Sequence, residues 1–157
     1  MSASGPARVG SFPHRVRVAE AAAALVVARL LIASTPWRIW RWTLGSPLRG
    51  AANPAGPEAA ELAPEIEVVR RAVDRAGRRL PLRFVCLPRA MAMHWMLRRR
   101  GIGSVLVIGV APGDAQGQTA FVMHAWIEIG GHVAIGEDGG QAFQPCAAFA
   151  GRPGRAP

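Results

Sequence analysis

The apolar pattern of the chain changes period near Gly101. Before it, Ala, Leu and Val residues alternate with Arg in helical fashion. From about Pro13 to Leu44 this predicts one long helix, interrupted at Pro36, which cannot continue a hydrogen-bond ladder. Residues 45–57 hold three prolines and three glycines and read as a linker. A second helix is expected from about Ala63 to Ala76. Its Ile66, Val69 and Val73 form one stripe, Pro64 suits its first turn and Gly77 is a candidate C-cap. Leu80 to Val85 reads as extended, and Leu87 to Arg100 as a third helix stopped by Gly101. Beyond that point the residues become β-branched and apolar. Ser104 to Val110 predicts a buried strand. Ala120 to Ile129 and His132 to Ile135 flank Gly130-Gly131, a dipeptide suited to a two-residue hairpin turn. The expected order is three helices and then three antiparallel strands.

Composition narrows the class. At 157 residues and 50% apolar, the chain has enough material for one globular core. Cys86 and Cys146 are its only cysteines, too few for a disulfide framework, so a reducing cytoplasm is expected. The net charge of +9 is uneven: residues 1–100 carry 17 Arg against 6 acids, and residues 101–157 carry 2 against 4. All basic residues are Arg. Such an excess fits a solvated face or an acidic partner. Arg98, Arg99 and Arg100 complement the dipole at a helix end, which explains them without nucleic acid.

The apolar stretch Val16–Ala33 is interrupted by Arg17, Glu20 and Arg29, so it falls short of the roughly 18–20 residues of a spanning helix. Ser34-Thr35-Pro36-Trp37 is a poor signal-peptide cleavage site. Membrane contact through Trp37, Trp40, Trp42 and nearby Arg is kept as an alternative. No Cys/His spacing matches a zinc pattern, and neither GxxxxGK[ST] nor GxGxxG occurs, so no metal and no nucleotide cofactor is expected from motifs.

The chemistry-bearing residues are Cys86 and His124. Cys86 stands where an extended run becomes a helix, and a thiol at a helix N-terminus meets dipoles that favour thiolate. His124 follows 38 residues later in His124-Ala125-Trp126. Together they have the order of nucleophile and base in a thiol acyl-transfer enzyme. Strand alternation sets His124, Trp126 and Glu128 on one face. With a two-residue turn at Gly130-Gly131, Glu137 lies opposite His124; a bulge at Gly136 would substitute Asp138. The orienting carboxylate is therefore Glu137 or Asp138. The Cys86 N–H could serve an oxyanion hole, but no glutamine shortly before it supplies the second donor. Of the other histidines, His94 lies two turns into the Cys86 helix, His14 in the weakly patterned start and His132 after the hairpin turn; Cys146 reads as a packing residue.

Cys86-Leu87-Pro88-Arg89-Ala90, Leu97-Arg98-Arg99-Arg100-Gly101-Ile102 and His124-Ala125-Trp126-Ile127-Glu128 together resemble a known family. The chain is similar to the lasso-peptide maturation proteases, in the transglutaminase-like branch of the papain-like superfamily, over roughly residues 13–145. The resemblance implies an α+β fold with N-terminal helices on a small antiparallel sheet and the nucleophile at a helix start. It also implies a cytoplasmic leader peptidase in which Cys86 attacks and His124 protonates the departing amine. The split form of the family is expected, with a separate leader-recognition protein, a macrolactam cyclase and a precursor leader peptide as partners, and no nucleic acid. ATP dependence is implied by the resemblance alone. Relatives usually place an aspartate close to the position of Gly136. The expected organisation is a disordered start (1–12), a helix and linker (13–57), the catalytic core (58–150) and a disordered tail (151–157). The competing readings are a transglutaminase-type acyltransferase and a non-catalytic basic module that binds peptide or membrane.

Overall fold

Pro36 stops the first helix, and the residues before it absorb the interruption. The Thr35 N–H still reaches the Leu31 carbonyl at 3.0 Å. The Ser34 and Thr35 hydroxyls fold back on the Leu30 and Leu31 carbonyls, both at 2.6 Å, satisfying the fraying turn. The computed structural model describes residues 14–48, 63–82, 85–113, 121–136 and 143–151. In chain order its elements are α1 (His14–Ser34), α2 (Trp37–Trp40), a 3-10 turn (Arg41–Leu44), β1 (Ser46–Pro47), α3 (Ala63–Arg79), α4 (Cys86–Arg99), β2 (Ser104–Pro112), β3 (Phe121–Ile129), β4 (His132–Ile135) and β5 (Gln144–Gly151). The single long helix expected up to Leu44 is thus three pieces with Pro36 as the breakpoint. The start (1–12), most of the linker and the tail beyond Gly151 lie outside the described residues.

The architecture is α+β, with helices on one face of a five-stranded antiparallel sheet of order β1-β5-β2-β3-β4. Two of these strands go beyond the sequence expectation. β5 (Gln-Pro-Cys-Ala-Ala-Phe-Ala-Gly) is rich in small residues of low strand propensity, and β1 is two residues long and contains Pro47. Pro145 is accommodated because it sits beside a bulge: the register shifts between Ile108 and Gly109 and leaves Cys146 as the extra residue. That bulge exposes Cys146, which is not the packing residue expected; its thiol donates to the Ile108 carbonyl at 3.3 Å.

Helix α4 organises the core. Pro88, residues 90–94, Met96 and Leu97 are all buried, because α1 and α3 cover one side and β2 and β3 the other. An apolar Ala/Met/Leu helix is what such a doubly covered position requires. Leu25, Val73, Leu97, Leu106 and Ile127 have no exposed surface. Burial of each such side chain contributes about 1.5–3 kcal/mol. The helix-facing sheet residues Leu106, Ile108, Ala125, Ile127 and Phe149 join this core. Val105, Val107 and Trp126 form a smaller cluster on the other face with Leu48, Phe143 and Ala148.

Gly77 does not cap α3, which runs on to Arg79. A glycine inside a helix costs about 1 kcal/mol relative to alanine, and Leu25 of α1 packs beside this one. Ion pairs fasten the helix ends. Arg100 meets Glu20 at 2.6 Å and Glu65 at 3.3 Å, and Arg89 of α4 pairs with Asp74 of α3. Arg100 therefore binds α1 and α3 in addition to suiting the end of α4.

Candidate active site

Cys86 is the first residue of α4, and its position follows from the chain entering the helix in extended form at Val85 (φ −74°, ψ −179°). No side chain caps this end. The N–H groups of a first turn, which have no partner within their own helix, and the positive pole of the peptide dipoles therefore face whatever lies in front of Cys86. Pro88 has no N–H and loses nothing there.

The thiol is half-buried, and its Sγ lies 4.0 Å from the carbonyl oxygen of Met123. Met123 immediately precedes His124. Helix α4 thus carries the thiol to the main chain of the strand that bears the imidazole. Val85 and Met123 beside the thiol are exposed, so this margin of the sheet is open to a substrate.

His124 is buried on the sheet face turned away from the helices, with Trp126 and Glu128, as strand alternation predicts. Its ring is held from three sides. Trp126 stacks on it with centroids 6.0 Å apart and planes 17° apart, and Phe143, next to β5, packs at 4.9 Å. Nε2 lies 2.6 Å from the Gly136 carbonyl oxygen. A carbonyl only accepts, so Nε2 carries the proton and Nδ1 carries the basic lone pair of the neutral ring. That is the tautomer a base needs when its orienting partner sits at Nε2.

Two glycines make room for this arrangement. Gly109 stands opposite His124 in the ladder, and a Cβ there would come within 2.7 Å of the Trp126 ring. Gly136 has φ +97°, and a Cβ would lie 2.8 Å from Trp126 Cβ and 2.9 Å from the Ala125 carbonyl oxygen. Any other residue at 136 would strain the turn and displace the carbonyl that holds His124. Trp126 is itself fixed by its Nε1–H, which donates to Glu128 at 2.7 Å.

The hairpin register departs from the simple expectation. Ile129 and Glu128 pair with His132 and Val133, but Ile127 pairs with Ile135, so Ala134 is the extra residue. The shift is of the one-residue kind that the Asp138 alternative requires, placed at Ala134 and not at Gly136. Glu137 and Asp138 themselves lie outside the described residues.

The remaining candidates fall elsewhere. His94 is fully buried within α4, with Nδ1 2.9 Å from Ser104 Oγ and Nε2 2.9 Å from the Leu44 carbonyl. Burial pushes its pKa below the ordinary value of 6.5, the Leu44 carbonyl opposes that, and nearby Arg98 adds to it. His132 is exposed on β4 and His14 is exposed at the start of α1. Trp40 is buried, so only Trp37 and Trp42 of the aromatic trio face outward. No helix among the described residues is long and apolar enough to cross a membrane.

Sequence reasoning missed the Gly136 carbonyl and Phe143 as parts of the His124 setting. The first is a main-chain atom with no residue signature, and the second leads into the unforeseen β5. Neither curated proteins nor solved structures yield a match to this chain. A family model does: it is described as the transglutaminase-like superfamily and matches residues 17–148, which include Cys86, His124 and nearly all of the helical layer. With that match over most of its length, and with a thiol at a helix start beside a histidine-bearing strand, the chain belongs to the transglutaminase-like superfamily.

Proposed function

We propose that this protein is a cysteine peptidase that removes the leader from a ribosomally made lasso-peptide precursor. The observation that carries the reading is the thiol at the uncapped start of α4, 4.0 Å from the main chain one residue before His124. The superfamily assignment supports thiol peptidase or acyltransferase chemistry in general. The finer assignment draws on the resemblance of the Cys86, Arg98–Arg100 and His124 blocks to the lasso-peptide proteases.

In the proposed reaction His124 takes the Cys86 proton, which requires its ring, on the sheet face turned away from α4, to meet the thiol at the exposed end of β3, and the sulfur attacks the carbonyl that joins leader to core. The new C–S bond forms as the carbonyl electron pair moves onto oxygen, where first-turn N–H groups of α4 stabilise it. The pair returns, the C–N bond breaks and the imidazolium gives its proton to the departing core amine. Water, deprotonated by His124, then attacks the thioester carbonyl; the C–S bond breaks, the sulfur takes the proton back from the imidazolium, and the leader leaves as a carboxylic acid. Glu137 or Asp138 would assist His124 as orienting carboxylate. A separate recognition protein would bring the precursor and a cyclase would consume the freed amine, in the cytoplasm.

The test is incubation of the protein with its precursor and recognition partner, read by mass spectrometry. Leader release is expected, and Cys86→Ala should abolish it. Full-rate cleavage by that variant would remove the proposal. Product mass also separates hydrolysis from the transglutaminase-type alternative, in which an amine and not water takes the acyl group.

A further inference from the structure

A cleft of about 530 Å³ opens between the start of α1 and the end of α3, away from the sheet. Its rim carries His14, Arg15, Arg75 and Arg79, and Ala22 and Ala76 lie in its apolar floor. Among the described residues the positive charge here is uncompensated. The carboxylates of α1 and α3 are Glu20, Glu65, Glu67 and Asp74, and all are engaged by other arginines. Glu20 pairs with Arg99 and Arg100, Glu65 with Arg17 and Arg100, Glu67 with Arg70 and Arg71, and Asp74 with Arg70 and Arg89. Arg75 donates instead to His14, with Nη1 3.2 Å from Nε2. Arg15 stands in the first turn of α1, where the helix dipole disfavours a cation. Local helix electrostatics therefore give no reason for a guanidinium at that place.

We infer that this cleft binds an acidic segment of a peptide, with its carboxylates on Arg15, Arg75 and Arg79 and its apolar side chains on the alanine floor. The spacing favours a peptide over a single phosphate. Arg75 and Arg79 stand one turn apart, about 6 Å along the axis. Carboxylates two residues apart in an extended peptide are separated by about 6.6 Å on the same side. Chain connectivity also ties the cleft to the nucleophile: Leu80 lines it and precedes Cys86 by six residues, so the two lie within about 20 Å. An extended substrate of about six residues covers that distance. The inference deepens the peptidase reading, on which it rests for the identity of the peptide as substrate, by adding a site that holds the substrate apart from the bond being cut.

Binding is measured without catalysis, on the full chain carrying Cys86→Ala, by fluorescence anisotropy of a labelled peptide of alternating glutamate and leucine at low salt. The glutamate peptide should bind at least about tenfold more tightly than its glutamine analogue, a difference of about 1.4 kcal/mol. Arg75→Glu with Arg79→Glu should remove that preference, and the milder Arg75→Gln with Arg79→Gln serves if the reversal unfolds the protein. Arg38→Glu with Arg41→Glu, exposed and outside the cleft, should leave binding intact. Equal loss in that control, equal binding of the glutamine peptide, or displacement of the glutamate peptide by lower concentrations of pyrophosphate than of unlabelled peptide would each overturn the inference. Peptide binding with no leader cleavage by the unmodified protein would refute the peptidase reading alone. Cleavage with a glutamate preference that survives both cleft variants would refute the exosite alone.

Discussion

His94 and His124 lie on opposite sides of one sheet and are held by different means. His94 is locked in the helix layer with both ring nitrogens engaged, one by the Ser104 hydroxyl and one by the Leu44 carbonyl. It joins α4, β2 and the 3-10 turn, and the closeness of its ring leaves no space for a Cβ on Gly151 of β5. His124 is oriented by ring contacts with Trp126 and Phe143 and by a main-chain acceptor at Nε2. The first arrangement uses the imidazole as a cross-link. The second fixes a tautomer that places the basic lone pair on Nδ1. Burial alone does not separate them, since both are buried; the partners that set each ring do.

That contrast is tested most severely by truncating each ring. His124→Ala should lower the cleavage rate by about 10²–10⁴-fold, the usual contribution of a general acid–base group. The His124 ring is buried against Trp126 and Phe143, so stability falls as well and the rate is read per folded molecule. His94→Ala should cost stability alone. It leaves the Ser104 hydroxyl and Leu44 carbonyl without the ring that bridges them and opens a void, at a cost of about 2–4 kcal/mol in denaturant titration. Activity per folded molecule should persist. A catalytic loss in both variants, or in neither, would erase the distinction.

Next in size is Gly136→Ala. Displacing the carbonyl from His124 should reduce kcat by roughly ten- to a hundredfold, about 1.4–2.7 kcal/mol, with KM nearly unchanged. A change confined to KM would show that Gly136 does not act through the imidazole.

The pH dependence of stability sharpens the same comparison. Because burial lowers the His94 pKa, the unfolded chain takes up its proton first as pH falls. The native state should therefore hold its full stability above about pH 6.5 and lose it progressively below, until the lowered folded value is reached. Denaturation midpoints measured between pH 5 and 8 should show that slope, and His94→Gln should flatten it. Smallest of all is Glu67, whose pKa is held at about 2 by hydrogen bonds from Arg70 and then Arg71. Its stabilising share is present above the unfolded value of 4.5 and is lost as pH falls toward about 2. The group is only partly buried and is screened by solvent, so Glu67→Gln should cost at most about 1 kcal/mol at neutral pH.

Much of this was legible along the chain. The stripe of Ile66, Val69 and Val73, the helix opening at Cys86 and the shared face of His124, Trp126 and Glu128 all follow from periodicity. Elements whose logic is tertiary were not. β5 is a strand because β2 and β1 exchange hydrogen bonds with it, not because Ala147, Ala148 and Gly151 prefer to be extended. Gly77 remains helical because α1 packs beside its turn, and the extra residue at Ala134 changes the hairpin register with no glycine to announce it. The acceptor at Nε2 is a peptide oxygen, which every residue possesses and no motif can single out.

The order of strands in the sheet has a bearing on synthesis. Among the described strands β5 comes last in the sequence, yet it lies second in the sheet, between β1 and β2. It brings Phe143 to one side of the His124 ring and lays Gly151 against His94. While a ribosome is still adding these residues, neither imidazole has its full set of neighbours, so a nascent chain should be unable to act on a substrate until its last strand has threaded into place.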